Sequence, residues 1–178
     1  MDHYVIKKDT DRDPLGAKIF SNNYEIAEIK KGPELSFILQ NRAGDKWNLS
    51  SKVHGKIRPF SLAVHDVSRN ESREVLTIKD HLFKHNDRFY MFMNHPEGRP
   101  LHEYLQSHRY ICRLVNFPYT DLADIEHHGK HRLRRYRGVP VGELSGLGIH
   151  GHNVKVSKEL HDIGLLVAAS SYLLYSAA

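Results

Sequence analysis

At 178 residues the chain has the length of one ordinary domain, enough to bury a real core. A hydrophobic content of 40% excludes a disordered chain by composition, and the lone Cys112 excludes an intrachain disulfide. The formal net charge of +5, with 14 histidines able to add to it in an acidic compartment, favours anionic partners: phospholipid head groups, nucleic acid or acidic protein surfaces.

The first residues, Met1 to Asp9, lack the long apolar core of a signal peptide, so the expected location is intracellular, cytoplasmic or peripheral at a membrane. Tyr4-Val5-Ile6 reads as an opening strand, stopped by the turn-prone run Asp9 to Pro14. Ala17 to Phe20 is a second short strand, Ser21-Asn22-Asn23 a turn, and Tyr24 to Ile29 a strand with the period of a half-buried sheet. Lys31-Gly32-Pro33 punctuates, Leu35 to Leu39 follows, and Asn41 to Asp45 is a hairpin loop leading to Trp47-Asn48-Leu49. Ile57 to Val64, interrupted at Pro59, reads as an edge or bulged strand.

Glu74 to Ile78 and Arg88 to Met93 are stronger strand candidates, with His85-Asn86-Asp87 as a turn before the second. Tyr110 to Phe117 is an apolar-rich strand ended by Pro118. Val139 to Gly148 reads as a tight, glycine-jointed passage and Ile149 to Val156 as a final strand. Ser157 is a good N-cap for a terminal helix over 158–178. No charged residue follows Asp162, and Leu165, Leu166, Val167, Tyr172, Leu173, Leu174 and Tyr175 cover every side of that helix. A helix apolar all round must be enclosed by protein or by lipid. Ile163 to Ala178 reaches only about 24 Å at 1.5 Å per residue, short of a ~30 Å hydrocarbon core, and it carries Ser170, Ser171 and Ser176. A buried core helix is therefore preferred to a tail anchor.

Ten short strands followed by one enclosed helix, with no repeat, linker or composition shift, give a single mainly β domain over 1–178. The expected architecture is a closed antiparallel barrel around the hydrophobic C-terminal helix, since closure removes exposed edges. This pattern, carried by Asp162-Ile163-Gly164-Leu165-Leu166-Val167-Ala168-Ala169-Ser170-Ser171-Tyr172-Leu173-Leu174 and the strands from Tyr4 to Val156, resembles the tubby C-terminal-like superfamily. That group includes LURP-one-related proteins and phospholipid scramblases. The resemblance implies a twelve-stranded barrel around a hydrophobic helix, so two strands would have to lie in segments read here as loops. It is a likeness of pattern, with no short signature motif.

The most cationic run is His127 to Arg137. As a strand it would set Lys130, Arg132, Arg134 and Tyr136 on one face and His131, Leu133, Arg135 and Arg137 on the other. Cations on both faces suit a rim meeting anionic head groups or phosphates; protection of an edge strand would use the same charges. In tubby domains a basic surface binds phosphoinositides, and by that resemblance Lys130, Arg132, Arg134, Arg135 and Arg137 are the candidate lipid-binding residues. The expected function is a non-enzymatic binding module for anionic, phosphoinositide-like membrane head groups, without a cofactor. Scrambling activity is implied by the resemblance alone.

Two other classes use other residues. His150-Gly151-His152 on a strand would point both rings the same way, and His128 could add a third ligand, giving a metal-dependent enzyme with a histidine-lined site. No Asp or Glu stands beside that pair. A structural or protein-interaction domain, whose charge serves solubility, is the third class. Ser145 is not in a Gly-x-Ser-x-Gly elbow, because Glu143 stands at the first glycine. Gly146 to Gly151 satisfies Gly-x-Gly-x-x-Gly but leads into a strand rather than a helix, so a dinucleotide site is not indicated. No nucleic-acid-binding signature is present, which argues against a nucleic-acid partner.

Overall fold

In the computed structural model the described residues are 1–9, 16–34, 36–51, 61–79, 82–94, 112–117, 139–145 and 152–176. The first half of the chain supplies β1 (Asp2–Lys8), β2 (Ala17–Ser21), β3 (Tyr24–Lys31), β4 (Ser36–Asn41), β5 (Lys46–Ser51) and β6 (Ser61–Asp66). There follow β7 (Arg73–Lys79), β8 (Leu82–His85), β9 (Arg88–Asn94), β10 (Cys112–Phe117), β11 (Val139–Ser145) and β12 (His152–Val156). A 3-10 segment, Lys158–Ile163, then leads into the helix α1, Gly164–Ser176.

The protein is mainly β and antiparallel, with a C-terminal helix, as the alternation of apolar and polar residues requires. Every strand pairs with its sequence neighbour, and β1 pairs with both β2 and β12, so the hydrogen-bonded order β1-β12-β11-β10-β9-β8-β7-β6-β5-β4-β3-β2 forms a closed barrel. The inward set is the apolar member of each alternation: Ile6, Ile19, Ile29, Leu39, Leu49, Val64, Ile78, Phe92 and Val156 are all essentially inaccessible. Each such side chain contributes about 1.5–3 kcal/mol when fully buried. Phe83 stacks on Tyr90 at 5.2 Å and lies 5.8 Å from Phe92, filling the wall where β8 meets β9.

From Leu166 to Leu173 every residue of α1 is buried, including Ser170 and Ser171. More than two turns without an exposed face means enclosure on all sides. The helix touches β1 and β12 on one wall and β6, far from them in the strand order, on another. It enters beside the start of β1. Asp2 is the register partner of Val156, and the Gly164 backbone lies against the Tyr4 ring, where a β-carbon would come 2.7 Å from the Tyr4 hydroxyl.

Several details depart from the sequence reading. The terminal helix begins at Gly164 rather than near Lys158; the preceding residues make a tighter 3-10 turn that contains a non-helical Leu160. Ser157 has the extended backbone of an N-cap, but its side chain makes no cap bond; its backbone N–H instead bonds the Val141 carbonyl, tying the turn to β11. Two strands lie where the sequence pattern predicts none. β8 has only four residues, and the turn after it is tight, with Asn86 and Asp87 both at positive φ. β11 carries Pro140 and Gly142, residues that argue against a central strand, yet both pair with β10 beside a register shift at Leu114/Val115. Of the strand read over Ile57 to Val64, the part from Ser61 onward is strand, and 57–60, with Pro59, lies outside the described residues.

Candidate functional site

The described register brings five lysines to one end of the barrel. Lys7 and Lys8 close β1, Lys18 opens β2, and Lys30 and Lys31 close β3. Because the strands are antiparallel, the end of β1, the start of β2 and the end of β3 coincide: Lys7 faces Lys18, Lys8 faces Ala17, and Ala17 faces Ile29. All five side chains are exposed. Glu28, the cross-strand partner of Lys18, bridges Lys30 at 3.1 Å, and Asp9 follows Lys8. Glu34 stands in the turn after Lys31, so among the described residues five cations stand with three carboxylates.

Lys7 and Lys18 are directly opposed. Like charges at that spacing, about 4.5–5.5 Å between β-carbons, disfavour the pairing by a few tenths of a kcal/mol. The Lys7 ammonium stands 5.1 Å from the Phe20 ring centroid, on the side leading away from the barrel end. What such a surface does chemically is hold anionic oxygen atoms, each lysine acting as a point charge with three donors. The sequence signal was present only as two Lys-Lys pairs at strand ends; what joins them to Lys18 is the register.

Lys130, Arg132, Arg134, Arg135 and Arg137 fall outside the described residues. Their nearest described flanks are Phe117, paired with Phe89 near the start of β9, and Val139. The Arg88 guanidinium contacts Glu159 at 3.3 Å, so those flanks stand at the helix-entry end, opposite the five lysines.

Around the helix entry, side chains fasten the 3-10 segment to the wall. His161 Nδ1 lies 2.7 Å from an Asp2 carboxylate oxygen, and His85 Nε2 lies 3.0 Å from Asp162. The Tyr90 hydroxyl donates to Glu159 at 3.0 Å. Burial, then that carboxylate, push the Tyr90 hydroxyl up to about 12, so it remains a donor through any physiological pH.

Of the three histidines read as metal ligands, His150 and His128 fall outside the described residues, and His152 faces the core. The Ser171 hydroxyl donates to the Ala168 carbonyl at 2.8 Å, so it must accept from His152 Nε2 at 3.0 Å. This network assigns the proton to Nε2 and leaves Nδ1 buried and, among the described residues, without a partner. Burial pushes His152 down to about 3, so the ring is neutral. Tyr172 meets it edge-on at 6.1 Å. These contacts make His152 a link between wall and helix. Among the described residues, no three His, Cys, Asp or Glu side chains converge as a metal site would require. Cys112 lies on β10, and Glu143 and Ser145 lie on β11.

A different feature occupies the outer face of β4 to β7. Two adjoining cavities of about 510 and 450 Å³ share Ser50 and His65. Sequence reading singled out none of their lining residues.

Comparison with protein-family models, curated proteins and solved structures finds no match. Among the described residues, no helix is long and apolar enough to cross a membrane.

Proposed function

We propose that the protein is a tubby-like barrel that binds anionic membrane head groups without catalysing a reaction. The observation carrying this reading is the five-lysine cluster on β1, β2 and β3, above all the opposed Lys7 and Lys18. Like charges placed face to face cost stability and are repaid when a phosphate lies between them. The helix supports the same reading from inside: it occupies the barrel interior, so recognition falls to the outer surface and rims. The run Lys130, Arg132, Arg134, Arg135 and Arg137 is a second cationic segment of the same chemistry. Phosphoinositide preference and scrambling belong to the superfamily resemblance, and head-group charge is what the lysines address directly.

Liposome sedimentation tests this proposal. Binding to vesicles containing phosphatidylserine should exceed binding to neutral phosphatidylcholine vesicles and fall with salt. Each surface lysine is worth about 1 kcal/mol at an anionic membrane, so Lys7→Glu with Lys18→Glu should weaken binding by more than tenfold. Replacing the 130–137 cations with the lysines intact measures the second segment separately. Equal binding to neutral vesicles, or no loss in either variant, overturns the proposal.

A further inference from the structure

The geometry points to a binding site for a neutral, hydroxyl-rich ligand, a saccharide or similar polyol, in the groove across the outer face of β4 to β7. This site is independent of the lysine cluster. Its two cavities adjoin at Ser50 and His65, which line both, and each falls in the size range of small-molecule sites. Four strands give three interstrand spacings of about 4.8 Å, a groove longer than a single sugar ring.

The lining chemistry selects the ligand class. The cross-strand pairs Ser36–Ser50 and Asn48–His65 set short polar side chains side by side on the outer face. Ser50, Asn48 and His65 are half-buried rather than solvent-exposed, although they point away from the core. An outer sheet face normally carries long charged side chains; hydroxyls and an amide here leave space and present both donors and acceptors. Thr77 donates to Glu74, whose carboxylate keeps acceptor capacity toward the cavity. The Asn48 side-chain oxygen is buried and, among the described residues, has no hydrogen-bond partner. An unpaired buried acceptor costs about 1–3 kcal/mol, and rotation of the amide would offer either its oxygen or its NH₂ group to an arriving hydroxyl.

Other ligand classes fit less well. Glu34 lines the first cavity, and Glu74 lines the second with Lys79, so the described lining residues give the groove no excess of positive charge to hold an anion. An extended peptide adding to the sheet needs an open strand edge, and β4, β5, β6 and β7 are each paired on both sides. Among the described lining residues, an apolar ligand would find little beyond Pro33, Leu62 and Ala63. A polyol uses mixed donors and acceptors at once, and carboxylates can accept from neighbouring hydroxyls.

The test is an ¹⁵N-edited NMR titration of the full chain with neutral probes: maltose, cellobiose, N,N′-diacetylchitobiose and mannobiose. The expected result is saturable, millimolar shifts confined to amides of β4 to β7 around Asn48, Ser50, His65 and Thr77. Ser50→Leu, which fills the junction of the two cavities, should abolish them. Ser50→Ala, which disturbs folding least, should weaken binding by up to about tenfold, the equivalent of one hydrogen bond. Absence of shifts with every probe, or shifts unchanged in Ser50→Ala, overturns the inference. So does a stronger response at the same amides to inositol hexakisphosphate, which would make the groove an anion site.

Discussion

At the scale of single residues, the buried serines of α1 separate two effects that sequence alone would merge. The Ser171 hydroxyl joins His152 to the Ala168 carbonyl, whereas the Ser170 oxygen is buried and, among the described residues, has no partner. Ser171→Ala strands the His152 N–H in the core and should cost about 1–3 kcal/mol. Ser170→Ala removes an unsatisfied group of nearly the same size and should be neutral or stabilising. Urea unfolding of the two variants checks the contrast, with equal losses as the contrary result. His152 also makes stability depend on pH. Its native value near 3 lies below the unfolded value of about 6.5, so below 6.5 the unfolded chain takes up a proton that the native chain refuses. The stability associated with neutral burial is complete above about pH 6.5 and erodes as pH falls toward 3, by up to about 1.4 kcal/mol per pH unit. Unfolding midpoints between pH 7 and 5 should fall further for the native protein than for His152→Phe. Parallel curves would remove His152 as the cause.

At the scale of the element, the helix entry sets propensity against packing. Gly164 has ordinary right-handed helical angles, and alanine would gain up to about 1 kcal/mol from helix propensity there. Its β-carbon, however, would press on the Tyr4 hydroxyl at 2.7 Å, and overpacking of this kind costs about 1–3 kcal/mol. Gly164→Ala should therefore destabilise the protein modestly, and Tyr4→Phe should relieve much of that cost by deleting the atom in closest contact. A double-mutant cycle by thermal unfolding measures the coupling; simple additivity would mean the ring moves freely aside. The strands show which element features are legible in a sequence. Tyr24 to Ile29 alternates clearly and folds as β3. β8 is too short for a period to emerge, and β11 is obscured by Pro140, which pairs with β10, and Gly142, which pairs with both β10 and β12.

At the scale of the whole molecule, the five lysines illustrate a tension between stability and binding. Lys18→Gln removes a like-charge pairing with Lys7 and an opposite-charge pairing with Glu28, terms of similar size, so stability should change by no more than a few tenths of a kcal/mol. The same change should lower affinity for phosphatidylserine vesicles several-fold. Measuring unfolding and sedimentation on one preparation checks both effects; a stability loss larger than the binding loss would show that Lys18 serves the fold. The site was less legible than the fold for a physical reason. A run such as Lys130 to Arg137 is visible because its charges are adjacent in sequence. Lys7, Lys18 and Lys30 are far apart in the chain and meet only through antiparallel register.

By itself the sequence determined the secondary-structure class, most strand positions and the need to enclose the helix from Leu166 to Leu173. Those properties follow from side-chain period and from the cost of exposing apolar surface, both local quantities. Tertiary structure decided the pairing of β1 with β12, the inward turn of His152, the union of the lysines at one end, and the serine-lined groove on β4 to β7. Each of these depends on which strands become neighbours and in what register. A shift of one residue would exchange every inward side chain for an outward one, so position along the chain cannot specify them.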